Sequence, residues 1–196
     1  GQPALINFLI IPSPLYITGQ GREDVKRFQV AVLDDAGQPV PNPTGNNLQL
    51  QLLPSRPNGG EKLVAITASG STQEGAVVNT RTINGIAEVA LHSGDKPGTV
   101  AMVAIADRAD NNVDNGIQSS VTDVDTIPIG SGEITSLTFT GPYPGAVLAR
   151  ANVLTLGTGD SIDATGAVYT RAITVLAVDE FGNPPPAGEF ITFRLM

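Results

Sequence analysis

Apolar and polar residues alternate with a period of two along most of the chain. Phe28, Val30 and Val32 share one side of a run whose other side holds Gln29 and Ala31. Leu48, Leu50 and Leu52 alternate with Gln49 and Gln51, and Ala87, Val89 and Leu91 with Glu88 and Ala90. Ala101, Val103 and Ile105 form a further set, and Ile191, Phe193 and Leu195 the last. A period of two puts successive side chains on opposite faces of a strand. One apolar face and one wet face predict antiparallel sheets packed as a sandwich. Amphipathic helical spacing is nearly absent.

Turn residues fill the gaps between these runs. Asn84-Gly85 predicts a type I′ turn, because both of its central positions need positive φ. That turn is expected to join a strand over residues 77–82 to one over residues 86–91. Asp35-Ala36-Gly37, Pro57-Asn58-Gly59-Gly60 and Gly94-Asp95-Lys96-Pro97-Gly98 mark other turns. Short strands separated by such signals point to an all-β sandwich or barrel.

The chain also repeats itself. Residues 28–41 read FQVAVLDDAGQPVP, and residues 173–186 read ITVLAVDEFGNPPP. Each copy is an alternating strand, an acidic pair, a Gly-containing turn and a proline run. Each is followed by another alternating stretch, LQLQLL at residues 48–53 and FITFRLM at residues 190–196. Repetition of this kind indicates tandem β-modules. A Gly/Ser stretch within residues 127–133 marks the boundary. Residues 1–130 form a first module with loop insertions, and residues 131–196 the first strands of a second, incomplete one.

Composition narrows the function. Tryptophan is absent and aromatics make up 5% of the chain, so the core is built from Val, Ile, Leu and Ala. Few aromatics also rank a carbohydrate-binding platform low. The net charge of −8, with no Lys/Arg cluster, argues against nucleic acid, whose binding needs a basic surface. Without cysteine there is no disulfide framework and no Cys-ligated metal. No apolar run approaches the ~18 residues of a membrane span. The opening GQPALINFLIIPSP reads as a first strand, or as the start of a processed chain.

The best site candidate is the polar stretch over residues 107–116. Asp110, Asn112 and Asp114 stand at alternate positions, so three oxygen-bearing side chains could converge on a hard cation such as calcium. The helix-loop-helix calcium pattern is only approximated: the glycine comes one place late, at Gly116, and Val121 fills the twelfth position. A polar loop whose Asp and Asn side chains cap their own backbone is the simpler account. Asp34-Asp35 and Asp179-Glu180 suggest paired carboxylates. Adjacent strand residues point in opposite directions, however, and an Asp before Gly-x-Pro favours a turn. His92, Ser93 and Asp95 lie close in sequence, but a nucleophilic triad needs convergence in space. Gly19-Gln20-Gly21 and Gly157-Thr158-Gly159 lack the strand-to-helix setting of a phosphate loop. Tyr143, between two prolines, is expected to be a packed turn residue.

Taken in order, these elements resemble a known family. A strand leads to D-x-x-G-x-P-V-P at residues 34–41, then to the alternating strand at residues 48–52. N-G-x-A-x-V-x-L follows at residues 84–91 and G-x-V-x-x-x-A at residues 98–104. This order is similar to the bacterial immunoglobulin-like modules of invasin- and intimin-type surface proteins. The resemblance implies a non-enzymatic stalk, scaffold or adhesion role, outside the cell or on its surface, with no catalytic residues. Partners would be other modules or copies of the chain, meeting through β-strand edges. The alternative is a filament subunit whose second module is completed by a neighbour's strand, with the apolar segment over residues 5–11 as donor.

Overall fold

The computed structural model describes residues 1–139, 161–162, 169–170, 175–185 and 188–193. The chain divides into two compact units, Gly1–Gly132 and Glu133–Met196. Every element among the described residues is a strand or a turn, and the fold is an all-β sandwich.

The first unit holds nine strands: β1 (Leu5–Leu9), β2 (Val25–Leu33), β3 (Leu48–Leu52), β4 (Lys62–Ile66), β5 (Thr72–Gly75), β6 (Val77–Thr80), β7 (Ile86–His92), β8 (Gly98–Asp107) and β9 (Ser120–Ile129). One sheet runs β1-β2-β7-β4-β5, the other β6-β3-β8-β9, and all strand pairs are antiparallel. The strands thus fall in the A-B-E-D and C-F-G orders of an immunoglobulin-type sandwich, with β5 and β6 added. Between β5 and β6 the chain crosses from one sheet to the other, at Gly75 with φ of 149°.

The core forms where the inner faces meet. Val30, Val32, Leu63 and Leu91 from the first sheet, and Leu48, Leu50, Val100 and Met102 from the second, are all fully buried. Phe28 packs its ring 6.0 Å from that of Phe8. In β8 the phase is opposite to the expected one. Val100, Met102, Ala104 and Ala106 are buried, whereas Ala101, Val103 and Ile105 lie half-buried on the outer face. β8 is a central strand, between β3 and β9, and is apolar on both faces, so alternation alone does not choose the inward one.

The Asn84-Gly85 turn forms as its chemistry requires. Asn84 and Gly85 have φ of 52° and 75°, and Ile83 and Ile86 exchange backbone hydrogen bonds of 2.8 and 3.1 Å. The expected hairpin does not extend from it. β6 pairs with β3 in the opposite sheet, so the arms part beyond the Ile83–Ile86 bridge. The buried Thr82 N–H donates to Asn47 Oδ1 (2.8 Å) where the chain leaves one sheet for the other.

The segment between β1 and β2 is tied in parallel to the end of the unit. Tyr16 bridges Gly130, with Ile17 N–H donating to Gly130 O (3.0 Å) and Gly130 N–H to Leu15 O (2.8 Å).

In the second unit, β10 (Ser136–Phe139) pairs antiparallel with β13 (Val175–Val178), and β11 (Ser161–Ile162) with β12 (Tyr169–Thr170). The β10–β13 pair reproduces β1–β2. Leu5 opposes Leu33, and Ala4 N–H donates to Leu33 O at 2.8 Å. Ser136 opposes Val178, and Thr135 N–H donates to Val178 O at 2.9 Å. Residues 190–193 of the stretch expected to form the next strand are not in a strand, and residues 194–196 lie outside the described residues.

Candidate functional site

The acidic pairs of the repeat build turns. Asp34 Oδ1 accepts the N–H groups of Ala36 (3.0 Å) and Gln38 (2.9 Å), and Gly37 N–H donates to Asp34 O (2.9 Å). Asp179 Oδ1 accepts from Phe181 and Asn183, both at 2.9 Å, and Gly182 N–H donates to Asp179 O (3.0 Å). Gly37 and Gly182 take the positive φ, 71° and 79°, that closes this turn. The two copies therefore share one hydrogen-bond pattern, atom for atom. The Gln38 N–H foremost, then the Gly1 ammonium 3.1 Å from Oδ2 and the Ala36 N–H, hold the Asp34 carboxyl below the usual carboxylate range. Asp35 points elsewhere and pairs with Arg108 Nη2 at 2.7 Å on the surface.

The polar loop between β8 and β9 is organised by a residue that spacing did not single out. Asp107, fully buried at the end of β8, accepts from Ala109 (2.9 Å), Gln118 (2.7 Å) and Ser119 (2.9 Å) N–H groups. Burial alone would raise its carboxyl, but the three donors outweigh it and the pKa is lowered. Asp110 Oδ1 accepts Asn112 N–H (3.1 Å), and its Oδ2 accepts Asn115 Nδ2 (2.6 Å). Asn112 Oδ1 accepts Asp114 N–H (2.9 Å). Asp114 reaches across to Asn46, taking its backbone N–H and its side-chain amide, both at 2.9 Å. Burial would raise the Asp114 carboxyl too, and the Asn46 and Asn79 donors bring it down. Asn46 and Asn47 complete the network: Ala68 N–H donates to Asn46 Oδ1 (2.7 Å), and Asn47 Nδ2 to Asn111 Oδ1 (2.9 Å). Oxygens of Asp110, Asn112 and Asp114 are thus engaged by N–H donors that fix the loop. Among the described residues no three His, Cys, Asp or Glu side chains gather as a metal site.

The other candidates separate in space. His92 opposes Lys62 and Val25 on the outer face of its sheet, and Ser93, one residue on, turns inward. His92 borders an open groove of about 820 Å³ with Leu9, Ile11, Arg27 and Ile66. Gly19 and Gly21, at φ of 85° and 65°, lie in the loop before β2. Tyr143 and residues 157–160 lie outside the described residues. The buried Lys26 was not signalled by sequence. Its stem lies opposite Leu91, and its Nζ donates to the Ser13 carbonyl and hydroxyl, pinning the loop before β2. Burial lowers its pKa, against the opposing pull of Glu23.

Compared with known proteins, the chain matches no family model and no curated sequence. Among the described residues no helix is long and apolar enough to cross a membrane.

Proposed function

We propose that this chain is a non-enzymatic structural module of a bacterial cell-surface or secreted protein, acting as a stalk or scaffold in the manner of invasin- and intimin-type modules. The observation that carries the reading is the recurrence of one strand pair and one Asp-anchored turn, in the same register, in both units. A chain that repeats its framework rather than a site is built for length and position. The parallel Leu15–Ile17 tie to Gly130 adds support, since tension along the chain loads those hydrogen bonds in shear.

A second reading is a filament subunit whose second unit takes a strand from a neighbour. Leu137 and Phe139 favour it: they hold the register positions of Ile6 and Phe8, yet they are 52% and 69% exposed, while Ile6 is 2% exposed. Light scattering during size exclusion decides between the two. A stalk segment keeps its monomer mass at every loading concentration. Mass that climbs with concentration overturns the stalk reading and supports assembly through open strand edges.

A further inference from the structure

One end of the first unit carries polar side chains on the core-facing side. In the β4–β7 pair, Leu63 opposes Leu91 and Lys62 opposes His92. The register runs on past the strand ends, for Asp95 N–H donates to Gly59 O at 2.8 Å. Glu61 therefore stands opposite Ser93, and both project to the side of Leu63 and Leu91. Both are buried, at 4% and 8% exposure. The surrounding backbone closes tightly over them. A Cβ placed on Gly94 would meet Gly59 O at 2.2 Å, and Ser93 N–H donates to Asp24 O at 2.9 Å.

Glu61 Oε1 is satisfied by Gly59 N–H at 2.8 Å. Its Oε2 has Arg56 Nε beside it at 3.5 Å, too far for a good hydrogen bond. Glu61 Oε2, Arg56 Nε and Ser93 Oγ are each shut off from solvent and have no hydrogen-bond partner in the protein. Buried polar atoms left in this way on neighbouring side chains are strongly unfavourable unless something joins them.

We propose that Glu61, Ser93 and Arg56 bind one internal water molecule. Water fits the donor set: it accepts from Arg56 Nε–H, donates to Glu61 Oε2 and completes its bonding with the Ser93 hydroxyl. That makes about three bonds, the usual number for a buried water. The guanidinium beside Glu61 Oε2 opposes a cation, and the carboxylate opposes an anion. The water joins the loop between β3 and β4 to the start of the loop after β7, and so holds this end of the sandwich shut.

The test is oxygen-17 relaxation dispersion on the full chain, which reads waters held for long times, beside Ser93→Ala and Arg56→Met. Each variant is expected to lower the dispersion amplitude by about one water, because it removes one polar partner and puts an apolar group in its place. An amplitude unchanged in both variants overturns the proposal. A crystal structure of the unaltered chain provides a check that needs no variant to fold. The expected result is a solvent peak within roughly 3 Å of all three atoms. A direct Arg56–Glu61 bond with Ser93 turned to another protein group contradicts it, as does a metal at about 2.3–2.6 Å from the carboxylate.

Discussion

Asp107 ends β8 with a fully buried carboxylate that accepts three backbone N–H groups from the loop it closes. Asp107→Ala leaves all three unpaired, and the expected loss is about 2–4 kcal/mol by urea unfolding. The pH dependence has a definite sign. Asp107, Asp114 and Asp34 all have pKa values lowered from 3.8 in the folded chain. Their contribution is present in full above that ordinary value and is lost as the pH falls through the lowered ones. The stability gap between the native chain and Asp107→Asn should therefore narrow as the pH drops from about 5 towards 2. A gap that stays constant would show that charge has no part in it. At Asp110, Asn112 and Asp114 no change in thermal midpoint is expected on adding about 1 mM calcium, a level that fills typical extracellular sites. The polar character of this loop was legible in its Asp/Asn spacing. The role of Asp107 was not, because its donors, Gln118 and Ser119, come from the far side of the loop and only the fold brings them in.

Strands reveal themselves in sequence when their two faces differ. β3 alternates cleanly, and β2 and β7 bury the predicted side, although Ala31 and Ala90 are buried on the other. β8 misleads because Val103 and Ile105 make its outer face as apolar as its inner one. Met102→Ala is accordingly expected to cost about 2–5 kcal/mol, and Val103→Ala about 1 kcal/mol or less, by chemical denaturation. Equal costs would overturn the assigned phase. β9 hides for the opposite reason. Asp123 and Asp125 take half-buried positions while Val124 is 56% exposed, and Asp123 Oδ2 accepts Phe8 N–H (3.3 Å) from the edge strand β1. The Asn84-Gly85 turn was readable, but the sheet change behind it was not, since Asn-Gly fixes a bend and says nothing of where the arms go. Tertiary packing adds a demand at Gly85: a Cβ there would lie 2.8 Å from Pro39 Cβ and 3.0 Å from Val32 O, at a φ of 75°. Gly85→Ala should destabilise by about 1–3 kcal/mol. A neutral result would mean that Pro39 yields easily.

For the whole molecule, a module reading requires that units 1–132 and 133–196 keep separate frameworks on one plan. The repeated turn itself was visible in sequence, because Asp-x-x-Gly leaves a local signature. The long-range tie of residues 15–17 to Gly130 leaves none. The most direct measurement is single-molecule pulling on the full chain. Cysteines introduced at Gln2 and Glu133 provide unique tethers, because the chain has none of its own. A stalk module should hold until one sharp rupture releases on the order of 400 Å of chain, at ~3.3–3.6 Å per residue. Gly130→Pro, which removes the Gly130 N–H, should lower the rupture force. Gradual extension at low force, unaffected by Gly130→Pro, would contradict a load-bearing role.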